Sequence, residues 1–161
     1  MPKKNKYGNK NIIVDGIKFD SRDEARFYTY LMDCKAKEMI QNFELQPKYE
    51  LQPKFKGVDG KSYQAITYTP DFFIYHLDGS VECIDVKTMG TATQQGELRK
   101  KMFIYKYPNV KLTWVSRHIS RATFGGEWIL YDDLKKQLAK EANEKKKQGG
   151  TDIEKHTRRS K

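Results

Sequence analysis

The sequence predicts a mixed α/β domain, with a small central sheet flanked by helices, and three observations carry that reading. Segments of helical period alternate with segments of strand period in the order helix, strands, helix, strand, helix. Asp-Gly pairs at Asp15-Gly16 and Asp78-Gly79 mark two hairpin turns between apolar runs. The length, 161 residues, fits one domain with a real but modest core.

The elements follow in order. Residues 1–11 form a basic arm with four lysines and no acid. "NIIVDGIKFD" reads as a hairpin. Ser21 is a candidate N-cap for a helix over "SRDEARFYTYLMDCKAKEM", whose Phe27, Tyr28, Leu31 and Cys34 share a face. Residues 43–51 read as extended, with Pro47 confining them to an edge or a bulge. "PKFKGVDGKS" reads as a loop. Strands are predicted at about 63–69, 71–77 and 80–87. A helix follows over 93–107, with Leu98, Met102 and Tyr105 on its inner face and Pro108 ending it. "VKLTWVS" reads as a buried strand and "FGGEW" as a turn. Residues 130–147 read as a helix that turns almost wholly polar, before a basic tail expected to be disordered.

Composition narrows the function classes. A net charge of +10 and a pI near 9.5 point to a polyanionic partner, with nucleic acid first. Two distant cysteines, Cys34 and Cys83, make neither a disulfide framework nor a zinc pair and read as buried thiols. No apolar run approaches the ~20 residues of a membrane span. His76, His118 and His156 form no metal pattern, and no phosphate-binding glycine loop is present. The tyrosines and phenylalanines read as core rather than as a base-stacking platform.

The chemistry concentrates in "YTPDFFIYHLDGSVECIDVKT", Tyr68 to Thr88. Strand alternation puts Val81, Cys83, Asp85 and Lys87 on one face and Ile84 and Val86 on the other. The hairpin turn brings Asp71 close to Asp85 or one step beyond it. Converging carboxylates repel unless a cation sits between them, and hard oxygen ligands suit Mg²⁺. Glu24 lies on the apolar face of the first helix, where it either completes a capping box with Ser21 or faces the same sheet end.

Glu24, Pro70-Asp71 and Asp85-Val86-Lys87, on those successive elements, resemble the signature of the PD-(D/E)xK nuclease superfamily. The resemblance covers roughly residues 20–116, and it implies a restriction-endonuclease-like α-β-β-β-α-β core. "FDSRDEARFYTYL" and the hairpin resemble an uncharacterised phage nuclease-like family, and the layout is similar to endonuclease I-type phage resolvases, which cut branched DNA. The resemblance implies a nuclease domain over 12–134 with a basic tail at 135–161. It implies Asp71, Asp85 and the Val86 carbonyl as ligands of Mg²⁺, with Mn²⁺ as a substitute. Lys87 would position the attacking water, and Glu24 would support the metal. It further implies a phage or prophage protein, acting in the host cytoplasm in recombination or replication, on substrates such as Holliday junctions.

Gln94 and Gln95 are followed four residues on by Leu98 and Arg99, so the Q-x-x-x-Y motif of exonuclease members is missing. Arg99, Lys100, Lys101, Arg117 and Arg121 are candidate DNA contacts, Lys101 as an inner-face residue reaching back to the site. A two-fold homodimer is expected if junctions are cut symmetrically, with "QPKFKGVDGKS" as a hinge that exchanges an element between protomers. The alternative reading is a non-catalytic DNA-binding protein that keeps the fold.

Overall fold

The computed structural model describes residues 12–157, with side chains described through 147. The basic arm 1–11 lies outside the described residues. β1 (Ile12–Val14) and β2 (Ile17–Phe19) pair around the Asp15-Gly16 turn. Helix α1 (Arg22–Ala36) starts where the Ser21 hydroxyl accepts the Glu24 N–H at 3.1 Å, and Asp23 and Glu24 complement its first turn. Its buried stripe is Ala25, Phe27, Tyr28, Leu31 and Cys34.

The extended segment then breaks at Pro47 into β3 (Asn42–Leu45) and β4 (Tyr49–Gln52). The expected loop instead forms a second hairpin, β5 (Phe55–Lys56) with β6 (Ser62–Tyr63). β7 (Ile66–Tyr68) returns to pair with β4. β8 (Phe72–Tyr75) and β9 (Val81–Val86) make the predicted central hairpin. α2 (Gln94–Lys106), β10 (Lys111–Arg117), β11 (Trp128–Leu130) and α3 (Tyr131–Thr157) complete the order, with a single 3₁₀ turn at Ile119–Arg121.

The central sheet has five strands in the order β11-β10-β9-β8-β3. β9 and β10 are parallel across the α2 crossover, and the other pairs are antiparallel. The protein is thus mixed α/β. The succession α1, β3, β8, β9, α2, β10 follows the expected order, with β4 to β7 projecting as an arm between β3 and β8.

Alternation along β9 divides the core as the sequence predicts. Ile84 and Val86 pack with Phe27, Phe72 and Trp128 under α1. Cys83 packs with Tyr68, Phe103 and Trp114 under α2. Phe27 meets Trp128 edge-on at 4.7 Å, and Tyr49 meets Phe103 at 4.8 Å, the tilted geometries that ring quadrupoles favour. Cys34 and Cys83 are buried free thiols on opposite faces of the sheet.

Three expectations are corrected. The inner face of α2 is not Leu98, Lys101 and Tyr105: Leu98 and Tyr105 are 59% and 90% exposed, while Phe103 is fully buried. Trp128–Leu130 is a strand, because Trp128 and Ile129 bury their side chains beside β10. The helix expected over 130–147 does not give way to disorder at its expected end. α3 runs on to Thr157, and its first turns are anchored by buried Tyr131 and Leu134. Lys, Glu, Ala and Gln, all strong helix formers, carry it onward.

Candidate active site

The β8–β9 register sets the site. Phe72 pairs with Ile84, so the next position out places Asp71 opposite Asp85 at the open end of the hairpin. Asp71 does not lean toward Asp85. Its Oδ2 accepts the Val86 backbone N–H at 2.7 Å, which fixes the carboxylate against the residue whose carbonyl is the expected third ligand. Asp85, 3% exposed, has both oxygens engaged. Oδ1 accepts from Lys87 Nζ at 2.6 Å, and Oδ2 accepts from the Tyr68 hydroxyl. Tyr68 in turn accepts the Trp114 indole N–H at 2.8 Å.

Trp114 therefore organises the α2 side of the site. Its ring also lies 4.5 Å from Lys100 Nζ and 5.5 Å from Lys87 Nζ, within cation–π range. The start of α2 lies beside it: a Cβ added at Gly96 would sit 3.6 Å from the indole edge, an ordinary van der Waals contact. Thr93 caps that helix by accepting the Gly96 N–H at 3.1 Å.

Glu24 forms the capping box. Its Oε1 accepts the Ser21 hydroxyl at 2.9 Å and its Oε2 the Asp20 N–H at 3.2 Å. The same carboxylate also lies within electrostatic reach of Asp71 and Asp85. Burial raises the pKa of Glu24, Ser21 and Asp20 oppose the rise, and the charges of Asp20 and Asp85 add to it. Asp71 is pushed up to about 8, first by burial, then by the charges of Asp85 and Glu24, against the Val86 N–H and Lys87. Burial and the Asp85 charge hold Tyr68 far above the ordinary phenol range, so it stays a donor.

Three carboxylates thus converge. Among the described residues, the one cation bonded to any of them is Lys87. Among the described residues no three acidic, His or Cys side chains surround one point at ligand distance. The reason is local: each carboxylate is turned to a donor of the protein itself. The donor chemistry, hard carboxylate oxygens, still suits a hard divalent ion, since an added cation would offset both the burial and the acidic neighbours that raise Asp71.

Beside these groups lies a polar cleft of about 390 Å³, lined by Thr67, Thr69, Asp85, Lys87, Thr93 and Arg99 among others. Arg99 has no ion-pair or hydrogen-bond partner among the described residues. Lys100 is held by Asp132 at 3.4 Å, and Lys101 points to solvent on the far side of α2. Arg117 is taken by Glu127 at 2.9 Å, and Arg121 forms a double ion pair with Glu141. Of the five predicted DNA contacts, Arg99 alone lines the cleft.

Sequence reasoning missed Tyr68 and Trp114. Tyr68 lies three residues before Asp71, in "YTPD", but its role depends on the β4–β7 pairing that turns it under β9. Glu24, Asp71, Asp85 and Lys87 come together within one chain.

No curated protein and no solved structure matches the chain. A family model does match residues 4–122, a stretch that holds Glu24, Tyr68, Asp71, Asp85, Lys87, Arg99 and Trp114. The chain therefore belongs to the DUF1064 family, whose description is a protein of unknown function.

Proposed function

We propose that this protein is a metal-dependent endodeoxyribonuclease that hydrolyses phosphodiester bonds. The observation that carries the reading is that Glu24, Asp71 and Asp85 come within electrostatic reach of one another with one bonded cation, Lys87 on Asp85, beside a cleft lined by Arg99, which has no partner among the described residues. Asp71, Asp85 and the Val86 carbonyl would hold Mg²⁺, with Mn²⁺ as a substitute. Bound there, the ion would supply Lewis acidity to the phosphodiester and acidify a coordinated water.

The chain's own residues supply the rest. Lys87, anchored on Asp85, stands where it can orient a water or meet charge growing on phosphorus. Tyr68, held by Trp114, fixes the rotamer of Asp85. Arg99 offers a planar fork of donors to a phosphate in the cleft. The net charge of +10 supports a polyanionic substrate, with affinity that falls steeply with salt. The resemblance to phage resolvases supports branched DNA as substrate and the cytoplasm of an infected host as the place of action. No helix among the described residues is long and apolar enough to cross a membrane.

One gel tests the reading. Plasmid, linear and four-way-junction DNA are incubated with the purified chain in Mg²⁺, Mn²⁺ or EDTA. Cleavage is expected with either metal and none with EDTA. Binding that is equal in all three, with no cleavage in any, would instead make the protein a DNA-binding module.

A further inference from the structure

The arm between β3 and β8 carries a feature the catalytic reading does not use. Phe55 and Tyr63 are directly paired across β5 and β6, and their rings stack at 4.9 Å with planes 12° apart. Each is 45% exposed, and neither belongs to a core cluster. The pair thus presents aromatic surface to solvent on an arm away from both cores. Lys54 and Lys56 flank the pair with no partner among the described residues, and Lys61 is matched only by Asp59 at 3.4 Å.

The arm holds its shape at both ends. At the tip, the Gly57 N–H donates to the Lys61 carbonyl at 2.9 Å, and Gly60 takes φ +79°, which a side chain would strain. At the root stands Tyr68, bonded to Asp85. Tyr63 and Tyr68 are five positions apart, at most about 18 Å of chain, or about five base steps of DNA.

We infer that Phe55 and Tyr63 form a stacking platform for unpaired DNA bases lying a few nucleotides from the cleaved phosphate. The occupant follows from the chemistry. Flat, paired rings accept the face of any base, and adjacent lysines meet the phosphates on either side of it. Fully paired duplex offers no free base face, so the arm selects branched, flapped or single-stranded DNA. The inference rests on the nuclease reading for what the site beside it does, but its test does not.

The test measures binding in EDTA, where nothing is cut. Labelled duplex, the same duplex with a short unpaired stretch, and the single strand are titrated with full-length protein by fluorescence anisotropy. The wild type should prefer the two DNAs with unpaired bases. Phe55→Ala/Tyr63→Ala should lose about tenfold on those and less than about twofold on duplex. A 2-aminopurine in the unpaired stretch should be quenched by the wild type and not by the variant. Lys54→Ala/Lys56→Ala should weaken all three DNAs alike and flatten the salt slope by about two.

Equal losses on all DNAs, or none, would overturn the inference. So would a changed sedimentation coefficient in the aromatic variant with unchanged DNA affinity, which would make the arm a contact between copies. Parallel incubations in Mg²⁺ keep the two readings apart. An aromatic effect without cleavage sinks the nuclease reading alone, and cleavage without an aromatic effect sinks the platform alone.

Discussion

β9 carries a buried carboxylate near each end, and the two ends are built on opposite principles. At one end Glu82 is met by Lys111 at 2.7 Å, by Thr113, and by His76 at 3.2 Å. Burial alone would raise its pKa, yet these partners bring it below the ordinary value. At the other end Lys87 bonds Asp85 alone, and Asp71 and Glu24, close by, are both raised, first by burial and then by their acidic neighbours. A carboxylate pulled down is already neutralised by the fold. Carboxyls pushed up sit where burial and neighbouring acids oppose ionisation and the fold supplies too little positive charge to offset them. Volume would choose the other end from the one the proposed function uses, since the cavity beside Glu82 measures about 880 Å³ against about 390 Å³ for the cleft at Asp85. Under that proposal, charge balance separates an ion pair that holds strands together from a site that takes a cation.

The largest expected effects test that contrast by mutation. Asp71→Asn, Asp85→Asn and Lys87→Ala should each lower cleavage about a thousandfold or more, at unchanged far-UV circular dichroism. DNA affinity of the two carboxylate variants should hold or rise slightly, because a repulsive charge is removed. Glu82→Gln should do the reverse: it keeps cleavage and loses about 1–3 kcal/mol of stability in urea unfolding. A dead Glu82→Gln enzyme, or near-full activity in any of the first three, would erase the distinction between the ends.

Metal and pH give the next effect. In metal-free buffer Asp71 titrates near 8 in the folded chain against 3.8 unfolded, so between those values the folded state keeps an extra proton. Its contribution to stability is full below about pH 4 and is lost as pH rises toward 8. Asp71→Asn should therefore melt several degrees above the wild type at pH 8 and level with it near pH 4. A divalent ion must displace that proton, so the rise in melting temperature with Mg²⁺ should grow from pH 6 to pH 8. In Asp71→Asn the Mg²⁺ effect should largely vanish, and in Glu82→Gln it should persist. Differential scanning fluorimetry across pH, with and without Mg²⁺, reads all of these.

What the sequence could reveal about the two ends follows from the range of the interactions. Asp71, Asp85 and Lys87 were legible because strand alternation and a five-residue turn fix their relation locally. The same local logic finds Glu82 on the opposite face but not its partners, since Lys111 and Thr113 come from β10, across the α2 crossover. Tyr68 and Trp114 stayed hidden for that reason too: their bond joins residues 46 positions apart. Lys101 was misplaced because α2 carries apolar residues at Leu98, Phe103, Ile104 and Tyr105, all around its surface, so its period was ambiguous. Phe103 and Gly96 decide the register by packing against Tyr49 and Trp114, contacts invisible to periodicity. The arm read as a loop because each of its outer strands is only two residues long.

A smaller effect is expected at Tyr68, whose hydroxyl is occupied by Asp85 and the Trp114 N–H. Tyr68→Phe removes the donor on Asp85 Oδ2 and leaves the Trp114 N–H without its acceptor. Cleavage should fall about ten- to a hundredfold while Phe103 packing keeps the fold. A positioning role also predicts a shifted pH–rate profile, because the environment of Asp85 changes. A rate loss with no shift would leave Tyr68 as packing alone.

The smallest effect is expected at Glu24, where two roles coincide in one side chain. The capping box accepts Gln in place of Glu, so Glu24→Gln should melt within about a degree of the wild type. The charge, however, is gone, and with it part of the repulsion that raises Asp71. Asp71 should then ionise at lower pH, moving the acidic limb of the pH–rate profile downward. Loss of the carboxylate's support for the metal should cost about tenfold in rate at pH 8 and less at high Mg²⁺. Because Glu24 reaches Asp71 and Asp85 within its own chain, co-refolding Glu24→Gln with Asp71→Asn should give no more activity than the Glu24→Gln chains alone supply. Restored activity in that mixture would mean that the site is completed between protomers. An unshifted profile with full rate would reduce Glu24 to the helix cap, and the cation site to Asp71, Asp85 and Lys87.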